Sequence, residues 1–237
     1  VGGSSGKNIR SQLEESLKRL KQDYVDVFFL HHWDDNVPLE ETFETLQKLR
    51  EEGKFFQLGA SNFSAWQVMK AQQVAEKNGF PSVDILQPMY NIVKRQAEVE
   101  ILPMSQTENI GVISYSPLGG GLLTGKYSSV NSSNKNSLGR LHDNSKYKKR
   151  YGQNWMYDAA NSLVNLANDL DYDPIALAVA WVSYNDAITA PIISARNLKQ
   201  LKPSLDSVEI SLDQETYNLI SNISPTPPPA TDRLEEV

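Results

Sequence analysis

The 237-residue sequence predicts a parallel α/β fold, and among such folds a (β/α) barrel. Three observations carry this. Segments with strand and helix character alternate five times, with no hairpin signal between them, so helical crossovers must join parallel strands. No G-x-G-x-x-G pattern follows any strand, which disfavours a nucleotide-binding Rossmann sheet. Each predicted strand also ends on polar or aromatic residues, the place where a barrel carries its chemistry.

The elements follow in order. Ile9, Leu13, Leu17 and Leu20 form one amphipathic helical stripe. Residues 24–31 read as a strand buried on both faces, being rich in Val, Phe and Leu. Its alternation puts Val25, Val27, Phe29 and His31 on one side and Asp26, Phe28, Leu30 and His32 on the other. A helix starts near Pro38, carries Glu40 and Glu41 in its first turn and stops at Gly53. Strand 56–60 precedes a helix opened by "SNFS" and stopped by Gly79. Strand 83–87, a helix from Arg95 to Asn109 and strand 110–116 come next. Residues 117–153 form a long polar loop, a length that usually signals function. Helices 154–169 and 174–185, strand 187–193, a helix from about Asn197 and a helix over 213–223 complete the order, before a Pro-rich tail at 224–237.

Composition narrows the function. Hydrophobic content of 40% marks a globular protein, and a net charge of −6 argues against nucleic-acid or anionic-membrane partners. The absence of cysteine excludes disulfides and thiolate metal sites and suits a reducing compartment, so a cytoplasmic location is expected. No apolar run reaches the length of a membrane span.

Read together, the strand ends resemble the aldo-keto reductase family, in the branch that includes the β subunits of potassium channels. The stretches "DYVDVFFLHHWDDNVPLEET" (23–42), "REEGKFFQLGASNFS" (50–64), "LQPMYN" (86–91), "SYSPLGGGLLTGKY" (114–127) and "PIISARNLKQL" (191–201) carry the resemblance. It implies an eight-unit (β/α)8 TIM barrel in which 1–237 is a single domain, 117–153 covers the cofactor, and the first three β/α units are missing from this chain. It also implies a small-molecule carbonyl substrate, NADP(H) as cofactor, no metal, and a possible homo-oligomer.

By the same resemblance His31 is the active-site histidine, placed by both the "DY-x-D" start and the "N-x-P-x-E-E-T" register, while His32 is not catalytic. Family members transfer a hydride from the nicotinamide to a carbonyl carbon. A tyrosine, assisted by lysine and aspartate, protonates the oxygen, and the histidine polarises it. Those three partners belong to the units that this chain lacks, and none of Tyr24, Tyr90 or Tyr115 matches the family's tyrosine. Ser61, Asn62 and Gln87 are expected to fix the nicotinamide carboxamide and Tyr115 to stack on its ring. An N-cap role for Ser61 or Asn62 and a core role for Tyr115 are the alternatives. Ser116, Pro117, Leu118, Gly119, Gly121 and Lys126 are expected at the pyrophosphate, with Arg140 nearby. Ser194 belongs to the final cofactor segment, Arg196 suits a 2′-phosphate, and Gln200 lies at the adenine end. Relatives often carry Glu-Asn where this chain has Pro203-Ser204, a departure at the adenine end. Trp33 and the tail are candidates for lining the substrate pocket. A non-catalytic NADP(H)-binding regulatory subunit is the main alternative, and a barrel acting on a phosphate substrate the third.

Overall fold

A computed structural model describes residues 3–127, 140–233 and 235. The chain divides into two compact units, Val1–Pro88 with Pro103–Val112, and Met89–Leu102 with Ile113–Val237.

In the first unit α1 (Gly6–Leu20) buries Ile9, Leu13 and Leu17 against α2 (Leu39–Glu51). Leu20, expected on the same stripe, is 57% exposed. The helix ends there, where Lys21 turns left-handed at φ 55°. β1 (Val25–Leu30) pairs in parallel with β2 (Phe55–Ser61). Only Leu30 of β1 is fully buried, whereas burial on both faces was expected. Among the described residues β1 has a neighbour on one edge only, so Val27 and Phe29 stay half-exposed. Gly59 faces Phe29 across the pair, and a Cβ there would collide with the Phe29 ring, so the glycine lets that ring lie flat on β2.

α3 (Ala65–Asn78) follows β2 and ends at Gly79, whose φ of 68° is the left-handed stop predicted by the sequence. β3 (Val83–Gln87) pairs with β2 through a register shift at Leu58/Gly59. The Asp84 carboxylate accepts from the Leu58 N–H at 2.9 Å within that irregularity. Beyond the shift Gly59 faces Ile85, Ala60 faces Leu86 and Ser61 faces Gln87. The bulge therefore decides which side chains face each other at the strand ends.

The single helix expected from Arg95 to Asn109 is a 3-10 turn (Gln96–Glu98) followed by α4 (Ile101–Thr107). Pro103 has no N–H to donate, and the first turn of a helix is where that costs nothing, so α4 begins just before it. β4 (Gly111–Tyr115) starts in the first unit, where Gly111 and Val112 pair with β3.

In the second unit Ile113–Tyr115 of β4 pairs in parallel with β5 (Ala190–Ile192). The described parts of the 117–153 stretch are more ordered than a loop. They hold a 3-10 segment (Gly119–Thr124), α5 (Arg140–Asp143) and α6 (Ser145–Tyr151), which Asn144 caps by accepting from the N–H groups of Lys146 and Tyr147. Residues 128–139 of the expected loop lie outside the described residues. α7 (Asn154–Asp169) packs on α8 (Pro174–Tyr184), which is apolar all round and buried from Ala176 to Val182. α9 (Leu198–Asp206) and α10 (Gln214–Ser221) also pack on α8. The prediction of parallel strands joined by helices is correct.

A buried polar knot ties this unit. Arg95 donates to both carboxylate oxygens of Glu98, at 2.9 Å each, and to the Ser221 carbonyl at 2.8 Å, and lies 5.8 Å from the Trp181 ring centroid. Trp181 stacks with Tyr90 and with Tyr217, and its indole N–H donates to Ser221. The Tyr90 hydroxyl donates to Glu98 at 2.8 Å.

Candidate functional site

Each unit presents a group of the predicted residues. In the first, β1, β2 and β3 end at the same level. One residue past the Leu30–Ala60 pair stands His31, beside Ser61, which in turn faces Gln87. Hydrogen bonds join this row. The Ser61 hydroxyl donates to the Gln87 carbonyl at 2.9 Å, and the Asn62 amide donates to the His31 carbonyl at 3.0 Å and to the Ser61 hydroxyl at 3.1 Å. Ser61 is buried, while His31 and Asn62 are exposed. The N-cap position of α3 belongs to Ser64, whose N–H donates to the Gln67 side chain at 2.9 Å, so neither Ser61 nor Asn62 is occupied as a helix cap.

His32 is also exposed, with its ring 4.4 Å from that of His31. Trp33 packs edge-on against Phe63 at 5.4 Å and against Trp66 at 5.5 Å, and its indole N–H donates to Asp35. The same two loops are thus joined twice, by Asn62 to His31 and by Trp33 to Phe63. Asp34 accepts from the Ser4 and Asn36 N–H groups, and those bonds hold its carboxyl below its ordinary pKa.

In the second unit the residues after β4 and β5 enclose a cavity of 440 Å³, within the range of small-molecule sites. Tyr115, Ser116, Pro117, Leu118, Gly121 and Lys126 line one part of it. Ser194, Arg196 and Gln200 line another. All of these were predicted from the sequence as cofactor residues. Gly120, Thr124, Ile175, Ile192, Ile193 and Ala195 also line it and were not singled out. The isoleucines form an apolar wall that strand periodicity assigns to packing, so nothing in the sequence marks them as site residues.

The glycine turn departs from expectation. Gly119 is buried and does not line the cavity, while Gly120 does. All three glycines have positive φ, 57°, 67° and 97° in order, so the chain turns too tightly for side chains. A Cβ on Gly120 would lie 2.6 Å from the Tyr147 ring, and one on Gly119 would touch Tyr151. The two tyrosines of α6 therefore pack behind the turn. A Cβ on Gly121 would lie 2.8 Å from the Lys126 ammonium, which places that charge directly over bare backbone.

Ser116 takes a left-handed φ of 62°, and its carbonyl accepts from the Asn91 amide at 2.9 Å. Asn62, just past the end of β2, has φ 58°. Non-glycine residues in this region are strained, and such strain concentrates at functional sites. Arg196 and Gln200 are bound to each other, since the Arg196 N–H donates to the Gln200 side-chain oxygen at 3.2 Å. Pro203 sits inside α9, and Ser204 is buried, so neither offers an exposed acceptor. Arg140 stands at the start of α5, and its side chain lies outside the described residues.

Burial raises the pKa of Tyr90, Tyr115, Tyr151 and Tyr157. A tyrosine serving as general acid is helped by the opposite shift, so burial works against that role at these four positions. Among the described residues no cluster of three His, Asp or Glu side chains could hold a metal, and no helix is long and apolar enough to cross a membrane.

Comparison with known proteins agrees with the geometry. The profile described as the aldo/keto reductase family matches residues 1–225. The oxidoreductase YrpG of Bacillus subtilis is 35% identical over 225 residues, 95% of this chain and 66% of its own length. Human aflatoxin B1 aldehyde reductase member 2 is 35% identical over 215 residues, 85% of this chain and 60% of its own length. Protein tas of Escherichia coli is 31% identical over 226 residues, 88% and 64% of the two lengths. The chain thus spans less than two thirds of the length of these relatives. With the polar row at its strand ends and the glycine-lined cavity after β4, the chain belongs to the aldo/keto reductase family.

Proposed function

We propose that the protein containing this chain reduces aldehydes and ketones to alcohols with NADPH, in a closed eight-unit barrel. The observation that carries the reading is the cavity of the second unit, where bare glycine backbone, Lys126 and Arg196 are brought together. That chemistry fits the pyrophosphate of a dinucleotide together with a 2′-phosphate on its adenosine ribose. Lys126 supplies a point charge over the bare backbone of Gly121, and the Arg196 guanidinium matches phosphate geometry. Tyr115 offers its face to a flat ring, and Ser61, Asn62 and Gln87 offer amide and hydroxyl groups suited to a carboxamide.

When bound, the nicotinamide supplies the hydride that goes to the carbonyl carbon. His31 donates a hydrogen bond to the carbonyl oxygen and stabilises the charge that develops there. The oxygen takes its proton from a general acid of the full-length protein, leaving the alcohol and the oxidised cofactor. The similarity to a human aflatoxin B1 aldehyde reductase supports this substrate class.

The test uses the full-length protein, an aldehyde and ketone panel, and the loss of NADPH absorbance. The expected result is turnover that falls at least about 100-fold in His31→Ala, the scale of losing an oxyanion donor. Tight NADPH binding without turnover would favour a regulatory subunit, and failure to bind NADPH would sink both readings.

A further inference from the structure

Asn91 is fully buried, and every polar atom of its side chain is used. The amide nitrogen donates to the Ser116 carbonyl at 2.9 Å and to the Tyr151 hydroxyl at 3.4 Å. The amide oxygen accepts from the Val93 N–H at 3.1 Å. A carbonyl needs a donor and an N–H needs an acceptor, so only one orientation of the amide satisfies Ser116 and Val93 together. The main chain of Asn91 is pinned as well, by two hydrogen bonds with the main chain of Lys94 at 2.9 and 3.2 Å. One residue earlier, the Tyr90 N–H donates to the Tyr115 carbonyl at 3.3 Å. The Tyr151 hydroxyl in turn donates to the Met89 sulfur at 3.4 Å. The amide is thus fixed through its own backbone and through its neighbours.

What the amide holds is the carbonyl on which the glycine turn starts. The Ser116 carbonyl also accepts from the Gly119 N–H at 2.9 Å, and the Leu118 carbonyl then accepts from the Gly121 N–H at 2.9 Å. Ser116 lines the cavity and has a φ of 62°. A left-handed serine is unfavourable by itself, and such a conformation persists only where its surroundings over-determine it. Two hydrogen bonds converging on one carbonyl do this, and the one from Asn91 comes from outside the turn. Asn91 is not among the residues that line the cavity, so its action passes through Ser116.

We infer that Asn91 is a positioning residue for the cofactor, whose buried amide holds Ser116 left-handed and so sets the glycine turn against the pyrophosphate. The inference rests on the reading of this cavity as the NADPH site.

The experiment measures the NADPH dissociation constant of the full-length protein by fluorescence titration, for Asn91→Ala alone and in a Ser116→Gly background. Asn91→Ala is expected to weaken binding about 10-fold, the scale of one hydrogen bond to a buried carbonyl. Glycine takes the left-handed conformation without help, so in the Ser116→Gly background the same substitution should cost less than about 3-fold. A loss of packing alone would act equally in both backgrounds, so equal factors overturn the inference. Asn91→Asp keeps the volume but turns a carboxylate oxygen towards the Ser116 carbonyl. It should weaken binding at least as much, and it answers for the alanine variant if that one does not fold. Affinity within about 2-fold of the wild type in either variant overturns the inference. Tyr151→Phe leaves the bond to Ser116 in place and should stay within about 3-fold of the wild type. A loss as large as that of Asn91→Ala would move the effect to Tyr151 and also overturn the inference. A wild type that does not bind NADPH takes down the cofactor reading, and the role of Asn91 with it.

Discussion

Replacing Asp84 tests whether the irregularity between β2 and β3 sets the alignment of Ser61 with Gln87. The Leu58 N–H points to the Asp84 carboxylate at 2.9 Å, and Leu58 is fully buried. In Asp84→Ala that N–H has no acceptor, while water cannot reach Leu58 freely. A backbone hydrogen bond to a charged group contributes about 1.5–3 kcal/mol, so a loss of about 2 kcal/mol is expected. Asp84→Asn keeps an acceptor oxygen and should lose less than half of that. Urea unfolding of the full-length protein gives the stability, and NADPH titration by fluorescence gives the binding. If the bulge positions the row, Asp84→Ala should also weaken binding, because a slip of one residue turns Ser61 to the opposite face. An Ala variant within about 0.5 kcal/mol of the wild type, the range of ordinary surface changes, would refute the reasoning. So would an Asn variant as damaged as the Ala variant.

Gly120→Ala should raise the NADPH dissociation constant by at least about 10-fold, since a methyl group 2.6 Å from the Tyr147 ring must displace the turn that faces the cavity. Equal affinity by fluorescence titration would exclude that turn from binding. Arg95→Gln should cost about 3 kcal/mol, because it leaves the half-buried Glu98 carboxylate without its cation, held only by the Tyr90 hydroxyl, and the Ser221 carbonyl without its donor. Trp181 fluorescence during urea unfolding reports it, and Glu98→Gln added to Arg95→Gln should recover part of the loss. Asp34 and Asp213 have lowered folded-state pKa values, both from backbone N–H donors. Their stabilisation is present above the unfolded carboxylate pKa and is lost as pH falls through the lower folded values. Asp34→Asn and Asp213→Asn should therefore flatten the acid limb of stability against pH, and an unchanged limb would contradict the assignment.

Much of the first unit was legible because its boundaries are written in glycine and proline. Pro38, Gly53 and Gly79 mark ends that the structure reproduces, with φ of 69° and 68° at the two glycines. Leu20 was misassigned because a periodic stripe does not reveal which turn is its last. Helix 95–109 was read as continuous because the role of Pro103 depends on where the helix starts. α6 was missed since its polar sequence carries only two large apolar rings, Tyr147 and Tyr151, and both pack on glycines with no pattern of their own. For the site, residue type and position after a strand were enough to find most of the cavity lining. The choice of Gly120 over Gly119 was not, because consecutive glycines carry no side chain to tell them apart and only the path of the turn decides which one faces the cavity.

The left-handed backbone at Asn62 and Ser116 has an evolutionary consequence. Glycine would relax both positions, so a library screened for survival of heating should drift towards glycine there. The same library screened for turnover should hold on to the amide at Asn62, which grips the His31 loop. Sequencing the two surviving pools would separate the part of the bend kept for folding from the part kept for chemistry.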